Sequence, residues 1–104
     1  MIARMWHGWT TRANADPYER LLRAQVLPGI AAKHIVGYHG AHLLRRDLGT
    51  EVEFVTILWF DSMDAVRGLA GEDHEVAYVP PEARRVLARF DARSQHYETL
   101  LTPE

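Results

Sequence analysis

Val52-Glu53-Phe54-Val55-Thr56-Ile57-Leu58-Trp59-Phe60 is the stretch that decides the fold. Successive side chains of a strand point to opposite faces, so Val52, Phe54, Leu58 and Phe60 share one side while Val55, Ile57 and Trp59 share the other. A strand with one wet face alternates apolar with polar residues. This one is apolar on both faces and needs cover on each. A chain of 104 residues has helices enough for one face of a sheet, and the other is expected to meet a second copy of the same sheet.

Working back from this strand, Gly49-Thr50 supplies a turn, and Gly37 to Asp47 reads as its antiparallel hairpin partner. Tyr38, Gly40, His42 and Leu44 fall on one face of that partner, and His39, Ala41, Leu43 and Arg45 on the other. Ile2 to Thr10 reads as the first strand, with Ile2, Arg4, Trp6 and Gly8 on one side and Ala3, Met5, His7 and Trp9 on the other. Asp16 as N-cap, Pro17 at the first helical position and Glu19 three residues after the cap predict a helix start. Tyr18, Leu21, Leu22 and Val26 form its apolar stripe. Pro28-Gly29 should kink or end it, with a short continuation through Ile30 to Lys33.

Forward of the central strand, Ser62 is placed to cap a helix whose inner face is Met63, Val66, Leu69 and Ala70 and whose stop is Gly71. Glu72 to Val79 reads as a loop or a helical turn. Pro80-Pro81 opens another helix, with Ala83, Val86, Leu87 and Phe90 at i, i+3, i+4 and i+7. Asp91 to Leu101 closes the chain as a fourth strand. The order strand, helix, strand, strand, helix, strand predicts an α+β fold, a ferredoxin-like split βαβ with a four-stranded antiparallel sheet in the spatial order 4-1-3-2, as a single domain over 1–104.

Composition narrows the function classes. With 47% apolar and 25% charged residues the chain is ordinary for a globular protein, which excludes disorder as its main state. A formal charge of −2, with the two signs interspersed, offers no footprint for nucleic acid. No run approaches the roughly 18 apolar residues of a membrane span. The absence of cysteine removes disulfides, thiolate nucleophiles and thiolate metal sites. Met1 to Trp6 leads into strand residues without a charged leader and apolar run, so a cytoplasmic location is expected.

The arrangement, with Ile57-Leu58-Trp59-Phe60 running into Asp61-Ser62-Met63-Asp64-Ala65-Val66, resembles the antibiotic biosynthesis monooxygenase family of dimeric α+β barrels. The resemblance spans nearly the whole chain. It implies a homodimer packed through its sheet faces, with a ligand cleft in each subunit between sheet and helices. It also implies one of several activities: oxidation of phenols by molecular oxygen without a bound cofactor, degradation of haem, or none assigned. The haem-degrading branch uses an asparagine on the first strand with an aromatic and a histidine from the second helical region. A direct count places His7, Leu69 and Val79 there, which argues against haem degradation.

The six histidines raise the question of a metal. His39-x-x-His42 on a strand points its rings to opposite faces and no HExxH accompanies it, so no metal is expected. His7 is the acid/base candidate, since an imidazole on the face of Met5 and Trp9 accepts a phenolic proton near neutral pH. Its plainer role is a hydrogen-bonded histidine of the sheet or dimer surface. Trp9 and Trp59 are candidates to wall an aromatic-binding cleft; their plainer role is packing in a core or an interface. His74 could hang over the cleft entrance or lie on an exposed loop. His96 and Tyr97 alternate on the last strand, so only one faces the cleft. Ser62 lacks the elbow motif of a nucleophile, and Glu72, Asp73 and Glu75 read as a solvated acidic turn.

These readings lead to a homodimeric, cofactor-independent monooxygenase-like protein acting on a small aromatic or quinol compound. The alternative is a non-enzymatic small-ligand-binding or stress-related dimer using the same cleft. A third possibility is an assembly module, marked by a pocket too small to admit a ring.

Overall fold

The computed structural model describes residues 1–103. Three long strands form the platform: β1 (Ile2–Thr11), β2 (Tyr38–Asp47) and β3 (Glu51–Phe60). β3 lies between β2 and β1 and is antiparallel to both, with Ile2 opposite Phe60 and Thr11 opposite Glu51. Two short strands, β4 (Arg89–Phe90) and β5 (Gln95–Glu98), pair with the other edge of β1. The sheet order β2-β3-β1-β4, with β5 also on β1, is the expected 4-1-3-2 with its last strand split in two. The fold is α+β and ferredoxin-like.

The split has a local cause. The Ser94 N–H donates to the Glu75 carbonyl, the Ala77 N–H donates to the Ala92 carbonyl, and Val76 forms a bridge with Arg93. Asp91 still donates to the His7 carbonyl of β1, but residues 92–94 spend their backbone groups on the preceding loop. Phe90, expected on the last helix, is instead in β4. That helix, Pro81–Val86, ends when Leu87 turns extended and the Ala88 N–H is taken by the Trp9 carbonyl of β1.

The first helix begins at Arg12, earlier than the Asp16 cap suggests. Thr11 leaves β1 in an extended conformation and its hydroxyl accepts from the Asn14 N–H at 3.2 Å, so the chain is capped before Asp16 is reached. Asp16 pairs with Arg45 instead, and Pro17 lies inside the helix. Three segments run on continuously: α1 (Arg12–Leu21), a π-helical turn over Leu22–Val26, and α2 (Leu27–Ala31). The Leu27 N–H reaches back to the Leu22 carbonyl, a wider turn just before Pro28, which cannot donate a helical hydrogen bond. The helix is thus widened ahead of Pro28-Gly29 and carries on through Ile30.

α3 (Met63–Ala70) starts as the sequence indicates, the Ser62 hydroxyl accepting from the Ala65 N–H, and stops at Gly71. With α4 (Pro81–Val86) it completes the helical layer on one face of the sheet. On β3, Val52, Phe54, Thr56, Leu58 and Phe60 are buried against that layer, while Val55, Ile57 and Trp59 are half-buried on the opposite, open face. Arg4, Trp6, Gly8 and Thr10 of β1 face the helices; Met5, His7 and Trp9 do not.

Tyr38 departs from its expected face. A bulge between Tyr38 and Gly40, with Gly40 at φ +116°, where a side chain is disfavoured, inserts a residue and reverses the alternation. Tyr38 therefore stacks toward Phe60, with ring centroids 5.4 Å apart, while Gly40 lies opposite Trp59. Two apolar clusters fill the space between the layers. Tyr18, Leu22, Phe54 and Trp6 centre one, and Ile30, Phe60 and Val66 the other.

Candidate functional site

Where the two clusters meet, a cavity of about 40 Å³ lies between the sheet and the helices. Trp6, Tyr18, Leu22, Val26 and Leu58 form much of its wall, and Tyr78, Val79 and Pro80 bring the loop after α3 against it. Leu22 and Val26 belong to the π turn, whose wider backbone sets them along the cavity. Trp6 is fixed from both sides: its indole lies over Gly8, where a Cβ would come within 2.7 Å of the ring, and its Nε1–H donates to the Asp91 carbonyl at 2.7 Å.

One charged residue lines this apolar space. Arg4 is 2% exposed, and no carboxylate pairs with it among the described residues. Its Nη1 donates to the His74 carbonyl and, at 3.0 Å, to His96 Nε2; its Nη2 donates to the Val76 carbonyl at 2.7 Å. Burial pulls the guanidinium down to about 10, so it remains a cation at neutral pH. Burial alone pushes the Tyr18 phenol well up, keeping it protonated. Thr56 and Ser94, both buried, add hydroxyl groups to the wall.

His96 is neutral at pH 7. Burial, followed by the charge of Arg4 and the neighbouring His74, lowers it to about 4. Because Arg4 only donates, Nε2 is the acceptor and Nδ1 carries the proton, a buried donor with no partner among the described residues. The His74 and His96 rings meet edge to face at 5.5 Å. Ligand atoms of His74, Glu75 and His96 lie within 4.8 Å of one another, a grouping that sequence spacing does not reveal. Arg4 holds the Nε2 lone pair that a metal would need and opposes a second positive charge, so the donor set does not suit a cation.

The residues singled out from sequence fall in two places. His74 is at the rim, its carbonyl held by Arg4. His7, Trp9 and Trp59 are not in the cavity, because the two-residue period of β1 and β3 aims them at the open face. There His7 Nδ1 meets Glu53 at 3.0 Å and its ring stacks on Trp9. Arg89 lies 4.0 Å over the Trp9 ring and pairs with Glu51, and Trp59 Nε1 donates to His42 Nδ1 at 2.8 Å. Of the last-strand pair, His96 faces the helices beside Arg4 and Tyr97 is exposed. Ser62 is a helix cap, and Asp73 and Glu75 are both engaged by Arg93. Arg4 is the residue the sequence reading passed over. Its signal was an arginine sharing a strand face with Trp6.

No protein-family model and no curated protein matches the chain. Among solved structures it is similar to the haem degrader MhuD of Mycobacterium tuberculosis, solved with two haems bound in its active site. The match covers 100% of both chains with a TM-score of 0.61 and 19% identity, a likeness of fold. The present cavity does not fit haem: about 40 Å³ is far below the roughly 300 Å³ at which ligand pockets begin, and no histidine lines it. No helix among the described residues is long and apolar enough to cross a membrane.

Proposed function

We propose that residues 1–104 form one domain of the antibiotic-biosynthesis-monooxygenase type. In this reading the chain works as a cytoplasmic homodimer, without a bound cofactor, on a small phenolic or quinol compound held between sheet and helices. The observation that carries the reading is the cavity itself: an apolar space walled by Trp6 and Tyr18, with a few converging polar groups, between the sheet and helices of a fold shared with a haem degrader. The volume holds only about three water molecules, so a ring is admitted by displacement of the loop that carries Tyr78 to Pro80.

In such a site a phenol gives up its proton, and the electron-rich ring reacts with oxygen away from bulk water. One oxygen atom is added to the ring carbon para to the hydroxyl. The hydrogen on that carbon and the hydroxyl hydrogen leave with the other oxygen atom as water, giving a quinone. Arg4 is the cation that lines the cavity and stabilises the phenolate. Already protonated, it accepts no proton, so the phenolic proton passes to water on binding and the acid/base role that sequence reading gave to His7 falls to no residue of the cavity. His7, Trp9 and Trp59 belong in this reading to the face that meets the second subunit, where half-buried Val55 and Ile57 also lie.

Oxygen uptake by the purified protein with a panel of phenols and quinols is the test, together with absorption spectra for bound flavin or haem. Consumption by colourless protein is expected. Binding of the same compounds without consumption would favour the second reading, a non-enzymatic ligand-binding dimer. Binding of none would favour the third, an assembly module, whose mark of a pocket too small to admit a ring the cavity of about 40 Å³ carries.

A further inference from the structure

Arg4 presents an unsolved electrostatic problem within the fold. A buried cation is ordinarily matched by an anion, because neutral carbonyls restore only part of what water supplied. The acidic side chains nearest in sequence to its loop partners are committed elsewhere: Asp73 and Glu75 both bind Arg93, at 2.7 and 3.2 Å. His96 contributes an acceptor nitrogen and no charge. Three of the five guanidinium N–H groups are used, both on Nη1 and one on Nη2, which leaves one on Nη2 and the Nε–H. The residue lines an otherwise apolar cavity to which Thr56 and Ser94 add hydroxyls.

We infer that the cavity recognises a small carboxylic acid as its anion, the carboxylate resting on Arg4 and the apolar remainder against Leu22, Val26 and Leu58. A carboxylate is the planar, two-oxygen partner that a guanidinium binds best, and a bond between opposite charges gains strength in a water-poor space. The volume of about 40 Å³ accommodates such a head group. A larger apolar body follows by moving the Tyr78 to Pro80 part of the loop, the carboxylate taking the Nη2 and Nε hydrogens that the His74 and Val76 carbonyls leave free. The inference rests on the sheet–helix cavity being the ligand site, and narrows the proposed substrates to phenols or quinols that also carry an acid.

The test uses the full chain and two pairs of nearly isosteric probes, butyrate with butyramide and benzoate with benzamide, titrated at pH 7.5 while proton–nitrogen NMR follows the Trp6 indole and the Ser94 amide. At least one acid should shift both signals saturably with a dissociation constant at least tenfold below that of its amide, and Arg4→Gln should remove the difference. Equal binding of acid and amide, or silence of both acids, overturns the inference. The wild-type comparison decides even if Arg4→Gln does not fold. Acids that bind without any phenol being oxidised would defeat the oxygenase reading alone; neutral phenols that are bound and oxidised while both acids stay silent would defeat this inference alone.

Discussion

Arg4 Nη2 donates to the Val76 carbonyl at 2.7 Å, a bond between residues 72 positions apart that ties the first strand to the loop covering the cavity. With the Nη1 bond to the His74 carbonyl, it makes one side chain both a wall of the cavity and a fastening for its cover. Further fastenings are the backbone bonds between that loop and residues 92–94, the Arg93 pairs with Asp73 and Glu75, and the Arg84 Nε bond to the Val79 carbonyl.

Replacing Arg4 by methionine should therefore loosen the loop more than it destabilises the fold. Two carbonyls lose their donor, but an unmatched buried cation is also removed, so the net change in global stability should stay near 1 kcal/mol. Amide exchange at Ala77 and Ser94 should accelerate tenfold or more, since their bonds depend on the loop staying in register. Exchange rates unchanged from the parent would show that the loop is held without Arg4, by its backbone bonds and the Arg93 and Arg84 contacts.

Phe54 is fully buried and meets Tyr18 edge to face with ring centroids 5.0 Å apart. Phe54→Ala should cost about 3–5 kcal/mol in urea unfolding, from lost burial and an unfilled hole between sheet and helix. A loss below 1 kcal/mol would mean that the layers collapse onto each other more readily than this packing implies.

The strands were legible because burial imposes a two-residue period, and β3 carries that period without interruption on both faces. What local reading missed was set by groups distant in sequence. Phe90 sits at a helical interval from Ala83, yet the Trp9 carbonyl captures Ala88 and draws the chain into β4. The face of Tyr38 depends on one inserted residue at Gly40. Arg4 looked like a strand arginine, since its partners His74, Val76 and His96 come from the other end of the chain.

The two candidate caps of the first helix can be separated by substitution. Thr11→Ala removes the acceptor for the Asn14 N–H and should cost about 1 kcal/mol. Asp16→Ala should leave thermal stability at the parental value, because its exposed pair with Arg45 is screened by water and Arg45 keeps Glu19. The opposite ranking would restore Asp16 as the start of the helix.

His96 should make the protein acid-sensitive. Its ordinary value of 6.5 is lowered to about 4 in the folded chain by burial, then by Arg4 and His74. Above pH 6.5 both folded and unfolded forms carry a neutral ring and this stability is fully present. As pH falls toward 4 the unfolded chain binds a proton that the folded chain refuses, so stability is lost; below 4 both bind it and the loss levels off. The ring is partly open to solvent, so the loss should be about 1 kcal/mol after screening. Urea titrations from pH 7 to 4 should show a shallower decline in His96→Gln than in the parent.

The open face of the sheet decides the assembly. Val55, Ile57 and Trp59 stand half-buried there beside Met5, and Trp9 packs against His7 and Arg89. A second sheet laid on this face would bury the apolar residues of β3 and leave the His7–Glu53 pair among them. Ile57→Glu places a charge at the middle of that face without touching the helical core, where Leu58 and Thr56 remain as they are. Light scattering should report twice the 11.9 kDa chain mass for the parent and the single mass for Ile57→Glu, with circular dichroism unchanged. A parent that is monomeric at micromolar concentration would remove the homodimer from the proposed function, and with it any role for His7, Trp9 and Trp59 beyond the surface of one subunit.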